Sequence, residues 1–216
     1  MATDDGERCC FDDWVPGWQA QLRTKEVARR VSAALLEAVT ETGLEGRSVL
    51  DLGCGVGDLS VASVGRGAAS ARGYDLSKAA IAAARALASE RGVADRTAFE
   101  VGDAARTELP PADVVVLNRV FCCYPNVDAL LLRSVAAARS VYAFTIPRSR
   151  GLAGVFGRIS IAFGNAYYRL RAKKYGGFRA YVHDVDAIDA RVRAAGFSPV
   201  RRSRIRFTWE LAIYAR

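Results

Sequence analysis

The segment VLDLGCGVGD at residues 49–58 places an acid beside closely spaced glycines, at a predicted strand-to-helix turn. Asp51 precedes Gly53 by two residues, and the pattern reads D-x-G-x-G-x-G. Glycines at such a turn let the backbone approach a ligand, and the following helix supplies amide donors. A dinucleotide fingerprint would place a glycine where Asp58 stands. The turn therefore predicts a ligand-binding loop that differs from the dinucleotide type.

Further polar residues follow the next predicted strands. They are Asp75-Leu76, Gly102-Asp103-Ala104 and Asn118-Arg119. In open α/β sheets, ligands bind at the carboxyl ends of the strands, so these groups are expected to lie at one site. There, Asp75 can accept hydrogen bonds from both hydroxyls of a ribose. Structural interpretations stay open for three residues: Gly57 for close helix packing, Asp75 as a cap of the next helix, and Asp103 for closing a turn.

Strand and helix alternate over the elements that must position these residues. Strands are predicted at 48–52, 69–74, 97–101, 113–117 and 140–146, and helices at 18–42, 57–66, 78–91, 127–138 and 184–195. The central strands are continuously apolar, as in sheets covered on both faces. Two adjacent runs, 198–206 and 207–215, predict a terminal antiparallel pair. The pattern predicts an α/β fold with a doubly wound, mostly parallel sheet.

The glycine loop, the acid after the second strand and the Gly-Asp pair after the third resemble class I S-adenosylmethionine-dependent methyltransferases. The resemblance implies a Rossmann-like seven-stranded sheet with an antiparallel C-terminal strand and an N-terminal helix. It implies S-adenosyl-L-methionine as cofactor, whose sulfonium and ammonium groups suit nearby carboxylates. The cofactor-binding residues that it implies are Asp51, Gly53, Cys54, Gly55, Gly57, Asp75, Leu76, Asp103, Ala104, Asn118 and Arg119.

Over nearly its whole length, the chain is similar to magnesium-protoporphyrin O-methyltransferases. The residues that carry this likeness are RVFCCYP at 119–125, RAYVH at 179–183 and AAGF at 194–197. Those enzymes usually have His-Tyr-Pro after the fourth strand, whereas Cys123 stands at the histidine position here. The resemblance implies O-methylation of a small acidic or hydrophobic acceptor.

Two residues are candidates for catalysis, His183 and Tyr124. His183 is the chain's one histidine and could act as a base or a donor, or could simply pair with Asp184 at a helix start. Tyr124 could form a pocket wall or belong to the core. A carboxylate acceptor is already ionised at neutral pH and needs no general base.

The charge is concentrated in the last third of the chain. Residues 1–146 carry 16 Lys+Arg and 19 Asp+Glu, whereas residues 147–216 carry 15 and 4. A basic surface attracts an acidic substrate, an anionic membrane or nucleic acid. An RNA methyltransferase is therefore one alternative function. The N/D-P-P-Y motif typical of base N-methylation is replaced by Asn118–Phe121, so nucleic acid is not expected as a partner. A cofactor-binding protein without catalysis is another alternative.

Residues 152–174 carry apolar side chains at helical spacing, and the same segment contains cationic side chains. They are expected to form a lid over the acceptor, a peripheral contact with an anionic membrane, or a packed core helix. We expect residues 1–46 to form a helical segment that covers the site. Residues 47–216 would form the methyltransferase domain, with a substrate-side helical insertion at about 148–178.

The chain has five cysteines, in two adjacent pairs and one single residue. The pairs lack zinc-site spacing, so no metal is expected unless Cys9-Cys10 meets Cys122-Cys123. On a strand, Cys122 and Cys123 would point to opposite faces. Because the sequence shows no secretory signal and no membrane-spanning run, the expected location is cytoplasmic, with membrane association as an addition.

Overall fold

A computed structural model describes residues 10–17, 26–172 and 176–216. The strands are β1 (Ser48–Leu52), β2 (Ser70–Asp75), β3 (Thr97–Val101), β4 (Ala112–Asn118), β5 (Ala138–Pro147), β6 (Ser198–Ile205) and β7 (Trp209–Ala215). The helices are α1 (Glu26–Glu41), α2 (Asp58–Gly65), α3 (Lys78–Glu90), α4 (Val127–Ala137), α5 (Gly151–Leu170) and α6 (Val185–Ala194).

The seven strands form one sheet in the order β3-β2-β1-β4-β5-β7-β6. β1 to β5 pair in parallel, and β7 lies antiparallel between β5 and β6. The strand order reverses between β1 and β4. In such sheets, a crevice opens at this switch point beyond the carboxyl ends of the strands. The predicted doubly wound sheet with an antiparallel C-terminal strand is confirmed.

Alternate side chains of each central strand enter two separate apolar layers. In β4, Val114 and Val116 pack on one face with α1, α2 and α3. Val115 and Leu117 point to the other face, toward α4 and α6. Two covered faces explain why these strands are apolar without interruption, and they fix which strand ends meet at the crevice.

Most predicted boundaries differ from the observed ones by one or two residues. β1 and β3 have the predicted limits, whereas β5 begins at Ala138 because α4 runs directly into it. The predicted helix at 18–42 is observed from Glu26, and residues 18–25 lie outside the described part. Ser77 caps α3, since the Ala80 amide donates to its Oγ at 3.0 Å.

The substrate-side segment forms the 20-residue helix α5. Only Ala153 and Gly154 are buried in it, and several large apolar side chains are exposed, including Leu152, Phe156, Phe163 and Leu170. The packed-core alternative is therefore wrong for this helix. None of the helices in the described ranges has the length and apolarity needed to cross a membrane.

Gly73 of β2 packs closely against Cys54 and Phe99, and its substitution tests this packing. A Cβ there would lie 2.7 Å from Cys54 Sγ and 2.8 Å from Phe99 Cδ1. Gly73→Ala should lower the free energy of unfolding by about 1–3 kcal/mol, because the core must shift to admit it. Urea denaturation measures this. The matched control is Gly65→Ala at the end of α2, where a Cβ meets nothing within 4 Å. Equal midpoints for the two variants would contradict the packing.

Candidate active site

A cavity of about 280 Å³ lies beyond the carboxyl ends of β1, β2 and β4. Ten of the eleven cofactor-binding residues predicted from the sequence line it, together with Tyr124. Phe11, Asp58, Cys122, Cys123 and Trp209 also contribute to the lining. The strand ends that the sequence suggested thus converge on one space.

Gly57 is the predicted residue that does not line the described cavity. Its φ is +79°, and a Cβ there would lie 2.8 Å from the Ala84 Cβ and 3.1 Å from Phe99 Cε1. For this glycine, the structure supports the packing interpretation. Gly53 differs, because it lines the cavity and a Cβ on it would meet Val120 Cγ2 at 2.6 Å. Glycine at 53 keeps the loop after β1 close to the turn after β4.

The Asp75 carboxylate connects the loop after β1 to the start of α3. Its Oδ2 accepts from the Gly55 amide at 2.9 Å, and its Oδ1 accepts from the Ser77 amide at 2.9 Å. Burial raises the pKa of Asp75 above its ordinary value, and the two amides partly offset this shift. Ser77 and not Asp75 is the N-cap of α3, so the capping interpretation is wrong for Asp75. The Asp75 carboxylate keeps acceptor capacity, because an ionised carboxylate offers about four lone-pair sites.

Asp51 presents a buried oxygen that has no partner. Its Oδ2 accepts from Ser60 Oγ at 2.7 Å, whereas no group in the described residues donates to its Oδ1. Burial raises the pKa of Asp51 to about 7, the Ser60 hydrogen bond opposes that rise, and the charges of Asp58 and Asp75 add to it. A buried carboxylate oxygen without a donor is costly. Its place in the cavity lining makes it a potential acceptor for a cationic ligand group.

Arg119 supplies the cationic side chain among the described residues that line the cavity. It adopts a φ of +61°, which is uncommon for a residue other than glycine and is often retained at functional sites. Its amide donates to Thr145 Oγ1 at 2.9 Å, while no acceptor within the described residues reaches its buried Nε. Arg119 thus offers a donor for an anionic ligand group in the same cavity as Asp51.

Asn118, beside Arg119, is held from both sides. Its Nδ2 donates to Ser32 Oγ of α1 at 2.8 Å, and its Oδ1 accepts from Thr145 Oγ1 at 2.8 Å. Thr145 therefore bonds both Asn118 and the Arg119 amide, which fixes the end of β4 against β5.

Tyr124 and Asp103 form one hydrogen-bonded unit at the cavity wall. Tyr124 Oη lies 2.7 and 2.9 Å from the two Asp103 carboxylate oxygens and donates to them. Burial and the Asp103 carboxylate raise the pKa of Tyr124 well above its ordinary value. The phenol therefore stays protonated and acts as a donor that positions Asp103. Asp103 also closes a turn, since its Oδ1 accepts from the Ala105 amide at 3.0 Å.

His183 is not among the residues that line the described cavity, but it contacts Tyr124, which does line it. Its Nε2 is 2.9 Å from the Tyr124 carbonyl oxygen, and its ring stacks on Tyr181 at a centroid distance of 5.9 Å. The Tyr181 amide donates to the Cys122 carbonyl at 2.8 Å. These contacts hold the turn after β4 in place. Asp184, the pairing partner considered for His183, accepts from the Asp186 amide at the start of α6.

Cys122 and Cys123 lie in a 3₁₀ turn, Phe121–Cys123, so the expectation for a strand does not apply. Their Sγ atoms are 3.6 Å apart and both line the cavity. Cys54, also in the lining, is buried, and burial raises the pKa of its thiol. Within the described ranges, no group of three or more metal-binding side chains occurs. Cys9 lies outside those ranges, so the contact of Cys9-Cys10 with Cys122-Cys123 that a metal site would require falls outside the described residues.

Comparison with known proteins gives a family match over residues 49–139, described as a methyltransferase domain. Ribosomal protein L11 methyltransferase of Haemophilus influenzae (strain PittEE) is 42% identical over 87 residues, covering 40% of this chain and 29% of that protein. The corresponding enzyme of Enterobacter sp. (strain 638) is 38% identical over 114 residues, 53% of this chain and 34% of that protein. The chain thus spans about a third of the length of these curated relatives.

Among solved structures, the fold is similar to magnesium protoporphyrin IX methyltransferase from Synechocystis PCC 6803 with bound SAH. The TM-score is 0.70 at 24% identity, with 95% of this chain and 94% of that chain covered. This identity supports a shared fold and leaves the acceptor open.

The raised pKa of Asp51 predicts pH-dependent ligand binding. The affinity for S-adenosylhomocysteine, which carries an ammonium group, should rise roughly tenfold between about pH 6 and pH 8 as the Asp51 carboxyl loses its proton. Isothermal titration calorimetry measures this dependence. Asp51→Asn should bind weakly with little dependence on pH over that range.

Ser60→Ala is the matched variant for this prediction. It removes the hydrogen bond that lowers the Asp51 pKa, so the midpoint of the affinity rise should move to higher pH. A wild-type affinity that does not change with pH would show that Asp51 takes no part in binding.

Proposed function

Because this chain carries a class I S-adenosylmethionine-dependent methyltransferase domain, we propose that it methylates an oxygen atom of a small acidic or amphipathic acceptor. One observation carries the choice of acceptor. Residues 148–183, on the substrate side, contain eight Lys or Arg and no Asp or Glu. This segment reaches the cavity wall through the hydrogen bond from the Tyr181 amide to the Cys122 carbonyl. An anionic acceptor is attracted to such a surface.

S-adenosylmethionine is the cofactor, and it supplies an electrophilic methyl group when bound. We assign the ribose hydroxyls to Asp75, the ammonium group to the free Asp51 oxygen with Asp58 nearby, and the carboxylate to Arg119. The assignment gives the ammonium and the carboxylate, which share the α-carbon of the methionyl part, each a partner of opposite charge. We place the adenine end beside Asp103, Leu76 and Ala104, and the Gly53–Gly55 backbone along the cofactor.

The residues around the acceptor mainly orient it and exclude water. Phe11 and Trp209 line the cavity with aromatic surface, and the Tyr124 and Asn118 networks keep the turn after β4 rigid. Methyl transfer is helped mainly by holding the nucleophile and the methyl group in line at near-attack distance. An ionised carboxylate suits this site, because Tyr124 stays protonated and the His183 ring is bound to a backbone carbonyl.

A test of this function uses the purified full chain with S-adenosylmethionine labelled at the methyl group and fractions of acidic small metabolites. We expect label in a small molecule, released as methanol by mild base, because esters hydrolyse and methyl ethers and N-methyl groups do not. Asp75→Asn should lower transfer at least about tenfold, since it removes a charged hydrogen-bond acceptor of the ribose. Glu100→Gln, an exposed carboxylate on β3, is the matched control and should transfer normally.

Three other outcomes would contradict the proposed acceptor. Label precipitated with protein would favour a protein substrate, as the names of the curated relatives suggest for those enzymes. Label in RNA, with binding that falls steeply with salt, would favour an RNA methyltransferase. Cofactor binding with no transfer to any fraction would favour a protein without catalytic activity.

We further propose that α5 contacts an anionic membrane surface. Exposed fractions of 84% for Leu152, 58% for Phe156 and 74% for Phe163 leave a row of apolar side chains largely open to solvent. Within this row, the Phe156 ring also contacts Phe207 at a centroid distance of 6.4 Å. Cationic residues on the same helix include Arg158 and Arg169, and the sequence continues with Arg171, Lys173 and Lys174. An amphipathic helix with these two features binds at the interface of anionic bilayers.

Co-sedimentation with vesicles tests this contact. The chain should bind vesicles containing phosphatidylserine and not vesicles of phosphatidylcholine alone. The double substitution Phe156→Ser and Phe163→Ser should lower binding at least about tenfold, because burial of each phenyl ring stabilises by roughly 1.5–3 kcal/mol. Leu132→Ser is the matched control, because Leu132 is 76% exposed on α4. Equal loss in the control, or no binding of the wild type at low salt, would rule out the contact.

A further inference from the structure

The turn after β4 holds two adjacent thiols that the methyl-transfer proposal does not use. Cys122 Sγ and Cys123 Sγ are 3.6 Å apart and form a hydrogen bond. Their Sγ atoms also lie 3.3 and 3.8 Å from the Arg119 carbonyl oxygen, so the two S–H groups have this oxygen and the neighbouring sulfur as acceptors. Since both cysteines line the cavity, a small molecule that enters the cavity reaches them.

The two thiols differ in their acidity. The hydrogen bond from Cys123 and the charge of Arg119 lower the pKa of Cys122, while burial opposes this effect. The same hydrogen bond, together with burial, raises the pKa of Cys123 well above its ordinary value. Cys122 is thus the thiol that forms the thiolate, which is the attacking form in thiol–disulfide exchange.

We propose that Cys122 and Cys123 form a redox-sensitive dithiol site that reacts with small-molecule disulfides and closes to a disulfide between adjacent residues. The Cys122 thiolate attacks one sulfur of the small disulfide, the S–S bond of that molecule breaks, and its other half leaves as a thiolate. The Cys123 sulfur then attacks Cys122 Sγ and expels the second half. Two protein thiols are oxidised, one disulfide is reduced to two thiols, and the two thiol protons pass to the leaving groups.

Chain geometry makes this disulfide easy to reverse. Adjacent Cα atoms are about 3.8 Å apart, which is shorter than the usual separation of about 4.4–6.8 Å for disulfide-bonded residues. Such a bond is strained, and strained disulfides are reduced readily. The site is therefore suited to reversible oxidation and not to permanent crosslinking.

Oxidation acts on the cofactor site through Arg119. A disulfide has no S–H group, so the Arg119 carbonyl has no thiol donor once the disulfide has formed. Arg119 already holds a left-handed backbone conformation, which persists only where neighbouring contacts enforce it. This inference rests on the proposed function only in placing the cofactor carboxylate at Arg119. The oxidised protein should bind S-adenosylhomocysteine roughly threefold to tenfold more weakly, as expected for the loss of one supporting hydrogen bond.

The experiment treats the full chain with oxidised glutathione and measures two quantities, the state of the thiols and the affinity for S-adenosylhomocysteine. Trypsin releases residues 120–133, which contain both cysteines and no other. After iodoacetamide without reduction, this peptide should carry two alkyl groups from untreated protein and none from oxidised protein. The peptide 48–66, which contains Cys54, gives an internal reference that should not change. Dithiothreitol should restore both alkylation and affinity.

Variants separate the two steps of the reaction. Cys123→Ser should stop at a mixed disulfide on Cys122, detected as one glutathione on the peptide 120–133. The double variant Cys122→Ser and Cys123→Ser should show the same affinity before and after treatment. Cys10→Ser, the control at a cysteine that packs against Gly176, should respond like the wild type.

Two results would overturn the dithiol site. One is a wild-type peptide 120–133 that keeps two free thiols after treatment. The other is a protein with the Cys122–Cys123 disulfide whose affinity for S-adenosylhomocysteine is unchanged. A reduced wild type that does not bind S-adenosylhomocysteine would instead contradict the cofactor assignment, so the two failures are distinguishable. The peptide measurement needs no variant and holds even if the serine substitutions impair folding.

Discussion

The burial of carboxylates at the switch point of the sheet is the constraint on which the site depends. Asp51 and Asp75 lie near the carboxyl ends of neighbouring parallel strands. The pairing of β1 with β2 therefore brings both buried acids to the glycine loop after β1. Asp75 is stabilised by amides from two different loops, and Asp51 is only half satisfied by Ser60. Burial of a carboxylate costs free energy unless donors surround it. A ligand with a positive charge relieves that cost, which links the fold to the choice of cofactor.

Much of the fold could be predicted from the sequence, because the information is local. Strand β1 and the loop after it occupy ten consecutive residues, and two covered faces leave an uninterrupted apolar pattern. The cofactor side of the site follows from the same regularity, since parallel strands deliver their end residues to one edge. Gly57 is the exception, because its close neighbour Ala84 is 27 positions away and no local pattern distinguishes packing from ligand contact.

The acceptor side could not be predicted in the same way, because its contacts join distant parts of the chain. His183 meets the carbonyl of Tyr124, 59 residues earlier, and a backbone acceptor leaves no pattern in the sequence. Trp209 enters the cavity lining because β7 inserts beside β5, a consequence of sheet order that no nearby residue signals. Asp58 stands in the glycine loop, where the sequence pattern marks it only as the position at which a dinucleotide fingerprint has glycine.

The two sides of the cavity are held in place by different kinds of contact. On the cofactor side, strand pairing and buried hydrogen bonds fix Asp51, Asp75 and Asn118. On the acceptor side, the turn 121–123 is held by the bond from the Tyr181 amide to the Cys122 carbonyl and by the contacts of its two thiols with the Arg119 carbonyl. The Arg119 amide is fixed by Thr145, and its carbonyl contacts both sulfur atoms. With the cofactor carboxylate at Arg119, as proposed above, a chemical change at those sulfurs would reach the cofactor through that one residue.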